Sequence, residues 1–157
     1  MNNKCPFCEP EIIESAFLES ENFLAIYNLS PILPGHSLII PKRHILSFLD
    51  LSEKGLTEFI SLGQRTAYIL SSYFRSKSFN LSIQDGFWAG QTVLHLHMHL
   101  IPRAQGDLKN PGDWYPELEK KFYNAEIDST QRPKLSKTDL LNDVEGIKKF
   151  ISNLTND

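Results

Sequence analysis

The stretch Val93-Leu94-His95-Leu96-His97-Met98-His99-Leu100-Ile101-Pro102-Arg103 alternates polar and apolar residues, and it constrains this chain more than any other feature. Successive residues of an extended strand point to opposite faces, so the pattern predicts a half-buried strand. His95, His97 and His99 would share one face, with Leu94, Leu96, Met98 and Leu100 on the other. At about 3.3 Å of rise per residue the imidazoles would stand roughly 6.6 Å apart, close enough to serve one small polar ligand together. An apolar back of this kind needs a sheet around it and a layer to cover it.

The rest of the chain supplies both. Glu14 to Glu19 and Asn22 to Asn28 read as a hairpin turning at Ser20-Glu21-Asn22. Ser30-Pro31-Ile32-Leu33-Pro34-Gly35-His36 is a loop that bends sharply, and Ser37 to Pro41 is a buried strand ended by proline. From Ser52 to Arg75 the period changes. Leu56, Phe59, Ile60, Gly63, Ala67, Leu70 and Phe74 recur every three or four residues behind Ser52 as N-cap, which predicts a long amphipathic helix. Phe79, Leu81 and Ile83 alternate as a further strand, and Gln84 to Thr92 form a glycine-bearing loop before the histidines. Residues 104–137 turn polar and lose period, predicting an irregular, mobile segment with a helical turn or two around Tyr115 to Phe122. Thr138 is expected to cap a final helix over about 138–154, with Leu140, Leu141, Val144, Ile147, Phe150, Ile151 and Leu154 on its apolar face. The expected fold is α+β: one domain over 1–157, an antiparallel sheet of about five strands, one long central helix and a C-terminal helix.

Composition excludes several classes. Hydrophobic residues make up 41% and charged residues 22%, as in an ordinary globular domain. Lys and Arg total 16 against 19 Asp and Glu, for a net charge of −3 and no basic run, so a polynucleotide partner is disfavoured. No apolar run approaches the ~18 residues of a membrane span, and the first residues lack the apolar core of a signal peptide. A cytoplasmic protein without a membrane partner is the expectation. The two cysteines, Cys5 and Cys8, form Cys-Pro-Phe-Cys. The spacing fits a redox pair, half of a metal site, or chance, and a metal would need further ligands from far along the chain.

Four readings of the histidine strand stand side by side. The histidines could be satisfied polar residues on a solvent face. Two of them could bind a catalytic metal, given a third ligand and an open position. They could also perform nucleophilic chemistry on phosphorus, because a neutral imidazole attacks a phosphoryl group and forms a phosphoramidate that water breaks. That reading also gives the Gly86 to Gly90 loop a use, as a source of backbone N–H groups for phosphate oxygens. Finally, the chain could be a nucleotide-binding signalling module in which hydrolysis is incidental.

Gln84-Asp85-Gly86, Ala89-Gly90-Gln91-Thr92 and His95-Leu96-His97-Met98-His99 resemble the His-x-His-x-His region of the histidine triad superfamily, most nearly its fragile-type dinucleoside polyphosphate hydrolases. The resemblance extends through Asn28, Pro34-Gly35-His36, Arg103, Gly106-Asp107 and Tyr115. It implies that His97 is the nucleophile, that His99 binds phosphate oxygens and assists the departing nucleotide, and that His95 supports the central ring. His36 matches the histidine packed behind the triad, Asn28 a ribose contact, and Gln84, Gln91 and Thr92 the phosphate side. Trp88 would be a lid or a stacking platform, and Arg103 could be no more than a surface charge.

The fragile-type pattern has no N-terminal Cys-x-x-Cys. Other branches of the superfamily bind zinc with two such cysteines, a later histidine and the first triad histidine, which by residue matching are Cys5, Cys8, His44 and His95 here. The resemblance therefore implies a structural zinc and no organic cofactor. The implied activity is cleavage of a diadenosine polyphosphate to AMP plus the remaining nucleotide through nucleotidyl-His97, by a homodimer. The alternative within the superfamily is a purine nucleoside phosphoramidase or adenylyl-conjugate hydrolase using the same intermediate.

Overall fold

A computed structural model of the chain describes residues 5–108 and 133–154. Strands β1 (Ala16–Glu19), β2 (Phe23–Tyr27), β3 (Ser37–Pro41), β4 (Ser78–Ile83) and β5 (Met98–Arg103) form one antiparallel sheet in the order β1-β2-β3-β5-β4. Helices α1 (Glu53–Tyr73) and α2 (Lys137–Leu154) complete an α+β architecture. Among the described residues, no helix is long and apolar enough to cross a membrane.

The two faces of the sheet differ. Phe23, Ala25, Tyr27, Ile39, Met98 and Leu100 share a core with Phe59, Leu62, Ala67 and Leu70 of α1 and Leu140, Val144 and Ile147 of α2. Helix α1 approaches β5 so closely that a Cβ on Gly63 would lie 2.5 Å from Met98 Cε. The opposite face carries a smaller cluster of Leu24, Ile26, Leu38 and Ile40, packed against Phe7, Ile12 and Ala16 of the N-terminal segment. His99 pairs across strands with Leu38, so it belongs to this second face, away from the helices.

Several elements depart from the sequence expectation. The histidine strand is shorter, because β5 begins only at Met98 and residues 91–97 are irregular. A tight turn closes from His95 N–H to the Val93 carbonyl at 2.8 Å, and Leu96 N–H donates to the Ile45 carbonyl at 2.7 Å. The turn breaks the alternation, so Leu94 is 65% exposed rather than part of the apolar face. Residues Pro10–Ser15 form a 3-10 helix, which delays β1 to Ala16. The apolar stripe of α1 is rotated from the expected one: Leu62 and Thr66 are buried while Leu56 and Ile60 are exposed. The last helix starts one residue early, capped by Ser136, whose hydroxyl accepts from Asp139 N–H at 3.1 Å, rather than by Thr138. The expected helical turns around Tyr115 to Phe122 lie outside the described residues.

Gly35 fixes the entry to β3. Its φ of +84° favours glycine, and a Cβ there would lie 2.7 Å from the Phe74 ring and 2.9 Å from Pro102. Its N–H donates to Tyr27 Oη at 2.9 Å, which delivers the next residue, fully buried His36, to the edge of the histidine cluster.

Candidate active site

Cys5, Cys8, His44 and His95, the four residues anticipated as a metal set, meet in space. One donor atom from each lies within 4.8 Å of the others. Cys5 Sγ is 3.3 Å and Cys8 Sγ 3.5 Å from His95 Nδ1, and Cys8 Sγ is 3.2 Å from His44 Nδ1. His95 Nε2 lies 3.0 Å from the Pro41 carbonyl. A carbonyl only accepts, so Nε2 carries the proton and Nδ1 presents its lone pair to the thiols. Burial, then His44 and His97, push the His95 pKa below its ordinary value, which keeps the ring neutral. Burial and neighbouring Cys5 push the Cys8 thiol up, so its thiolate form favours a cationic partner. Two sulfurs and two imidazole nitrogens, with the His95 ring oriented by a backbone carbonyl, are a donor set that fits a tetrahedral divalent metal.

His97 is 5% exposed and its Nδ1 donates to the His95 carbonyl at 2.7 Å. That bond leaves Nε2 unprotonated. Burial pushes the His97 pKa below the ordinary value, so the neutral ring persists at neutral pH. The His97 and His99 rings lie 5.0 Å apart at 72°.

A second relay sets the tautomer of His99. Ile32 N–H donates to His36 Nδ1 at 3.1 Å, so the proton of neutral His36 is on Nε2, which donates to His99 Nδ1 at 2.9 Å. In neutral His99 the proton therefore sits on Nε2. Asn28 Oδ1 accepts from Ser30 N–H at 2.9 Å, and its amide nitrogen lies 3.3 Å and 3.5 Å from the two His36 ring nitrogens. The arrangement can hold one imidazole as a neutral nucleophile beside a second imidazole fixed as a donor.

The loop before the histidines is clamped from both ends. Gln91 Oε1 accepts from Gly86 N–H at 2.9 Å and its Nε2 donates to the Leu46 carbonyl at 3.0 Å, while Asp85 accepts from the Ser47 hydroxyl and Phe48 N–H. Gln91 is buried and Thr92 is exposed. Gln84 directly follows β4, whose Ser82 and Ile83 pair with His99 and Met98 of β5. Its Nε2 donates to Ser82 Oγ at 3.3 Å, and its buried Oε1 has no hydrogen-bond partner among the described residues. Trp88 is 96% exposed at the loop tip, edge-to-face with Phe87.

Arg103 is not a surface charge. It is 8% exposed, with Nε and Nη2 on the Asp107 carboxylate at 2.8 Å and 3.0 Å and Nη1 on Asn80 Oδ1 at 2.8 Å. Sequence reasoning missed three contributors. The Pro41 carbonyl and the Ile32 N–H act through backbone, which residue type does not advertise. Phe7, whose ring lies 5.4 Å from that of His97, was signalled only by its place inside Cys-Pro-Phe-Cys.

Residues 9–106 match the HIT domain family. The chain is 39% identical to a bis(5'-adenosyl)-triphosphatase of Dictyostelium discoideum over 67% of this chain and 70% of that protein. It spans 54% to 59% of the length of three further curated relatives. Among solved structures it is similar to a diadenosine triphosphate hydrolase of Plasmodium falciparum, with a TM-score of 0.71 and 25% identity over 89% of this chain and 78% of that one. It is also similar to a zinc-bound histidine triad family protein of Mycobacterium smegmatis, with a TM-score of 0.69 and 26% identity over 98% and 96%.

Proposed function

The chain belongs to the HIT domain, or histidine triad, family, and from that premise we propose that it hydrolyses diadenosine polyphosphates such as diadenosine triphosphate to AMP and the remaining nucleotide. The observation that carries the reading is the pair of oriented imidazoles, with His97 held by the His95 carbonyl and His99 by His36.

In the proposed reaction the lone pair on His97 Nε2 attacks the α-phosphorus in line with the bond to the leaving nucleotide. The bridging P–O bond breaks and its electron pair leaves on that oxygen. His99 Nε2–H donates to the departing or non-bridging oxygens. Water then attacks the phosphorus of the nucleotidyl-imidazole and gives up a proton to the solvent, and the P–N electron pair returns to Nε2 as AMP leaves. A nucleoside di- or triphosphate is already a good leaving group, so placement and charge dispersal are the main requirements. Gln84 suits a phosphate contact. With its amide reversed, the carbonyl accepts from the Ser82 hydroxyl and the N–H donors occupy the position that now lacks a partner. Gln91 acts through the loop it anchors, exposed Thr92 is a phosphate-side contact, and Asn28 serves the ribose side while steadying His36.

Cys5, Cys8, His44 and His95 would hold a structural zinc, which supplies a tie between the N-terminal segment, the residues after β3 and the histidine segment. The homodimer belongs to the same proposal, since β4 is an edge strand carrying exposed Phe79 and Leu81. So does a cytoplasmic location. The second reading is hydrolysis of adenylyl conjugates by the same intermediate, the superfamily branch that the Cys5, Cys8, His44 and His95 set resembles. Rates on diadenosine triphosphate and on an AMP–lysine phosphoramidate, measured side by side, separate the two. The first reading expects the faster turnover on the dinucleotide, with loss of both activities in His97→Ala; faster turnover of the phosphoramidate supports the second.

A further inference from the structure

We propose that metal occupancy and nucleotide occupancy are coupled through Phe7, an inference that rests on the nucleotide-hydrolase reading above. Phe7 sits in the 3-10 turn Pro6–Cys8, between two members of the metal quartet. Cys8 N–H donates to the Cys5 carbonyl at 3.0 Å and closes the turn. The Phe7 ring meets His95 edge-on at 5.6 Å and 88°, and His97 at 5.4 Å and 68°. One aromatic side chain thus touches both a metal-set histidine and the proposed nucleophile. It also packs against the Leu24, Ile26, Leu38 and Ile40 cluster, on the same face of the sheet as His99.

The packing of Phe7 on that cluster is the turn's apolar hold on the sheet. The turn contains no buried residue, Phe7 is only half-buried and Cys8 is exposed. Ligation at Cys5 and Cys8, on either side of Phe7, would add to that packing in holding Phe7 beside His97. Because the Phe7 ring stands 5.4 Å from that of His97, a nucleotide whose α-phosphate reaches His97 would come within reach of Phe7 while the turn is docked. Any such contact must, by linkage, strengthen metal retention by the same factor that the metal strengthens nucleotide binding.

The test uses the full chain loaded with zinc, and AMP, which is a product and is not turned over. The zinc dissociation constant is measured by competition with a chromogenic chelator, with and without saturating AMP. AMP affinity is measured by calorimetry on zinc-loaded and zinc-depleted protein. The expected result is zinc retention tightened by roughly 5- to 150-fold by AMP, matched by an equal effect of zinc on AMP affinity. In Phe7→Ala the four ligands remain, and the factor falls to about one. Phe7→Leu keeps the packing on the sheet, should Phe7→Ala not fold, and lowers the factor in the same direction. Free AMP binds zinc weakly in solution, which acts against the expected shift and cannot mimic it. Binding of both ligands with no effect of one on the other overturns the coupling and leaves the hydrolase reading standing, as does an undiminished factor in both Phe7 variants. Failure of AMP to bind removes the reading beneath and the coupling with it, and failure of zinc to bind removes the metal assignment and the coupling while hydrolysis at His97 stands.

Discussion

His95 resolves at the residue scale the two claims made on it. Its side chain faces the cysteines through Nδ1, and its support of His97 comes from the backbone carbonyl, so the roles occupy different atoms and do not compete. His36 is the residue whose loss tests the orientation of His99. His36→Ala removes the donor to His99 Nδ1 and is expected to lower kcat on diadenosine triphosphate by on the order of a hundredfold. His36→Gln, whose amide can both accept from Ile32 N–H and donate to His99, is expected to recover much of the loss; equal rates in parent and His36→Ala would refute the relay. Asp107 tests a purely structural residue. The guanidinium of Arg103 holds its carboxyl below the ordinary value, and the same pairing pushes the Arg103 pKa up. A depressed folded-state pKa means that the contribution is complete above the unfolded carboxylate pKa and is lost as pH falls through the folded one. Asp107→Asn should cost about 2 kcal/mol near neutral pH, in denaturant titration, and the difference from the parent should shrink toward pH 3, below the ordinary carboxylate value of about 3.9.

At the scale of elements, the N-terminal segment is joined to the histidine segment by side chains rather than by strand pairing. Cys8→Ser is expected to leave the sheet and helices formed, to lower the thermal midpoint and to weaken zinc retention by more than the roughly tenfold to hundredfold typical of partners that only orient a ligand. Elemental analysis with a melting curve checks this, and an unchanged zinc content and midpoint would exclude the quartet. Much of this was legible in the sequence. Period-two and period-3.6 patterns located the strands and α1, because core burial imposes those spacings, and the resemblance brought Cys5, Cys8, His44 and His95 together across a gap of ninety residues. The bend at Val93–His95 was not legible, because a turn closed by backbone atoms leaves no residue-type signal, and the alternation of Leu94 with the histidines mimicked a continuous strand. Arg103 escaped for a similar reason: its burial depends on Asn80 from β4, which no local pattern discloses. Alternation identified Phe79 and Leu81 as strand residues, and only the strand order places them on an edge, where both are exposed.

For the whole molecule, division of labour between the two faces of the sheet is the organising feature. Helices α1 and α2 cover one face, leaving the other for the metal quartet, the apolar cluster and the histidines. The open β4 edge gives the dimer proposal its test: Leu81→Arg should convert a dimer to a monomer in sedimentation experiments, and an unchanged mass would place any dimer contact elsewhere. The central claim is that His97 carries the nucleotide during turnover. It is met most directly by mass spectrometry of the intact chain mixed with diadenosine triphosphate and quenched within one turnover. The account predicts a population heavier by one adenylyl group, mapped by fragmentation to His97 and absent from His97→Ala. Rapid turnover with no adenylylated species at any quench time, or with the group on another residue, would contradict it.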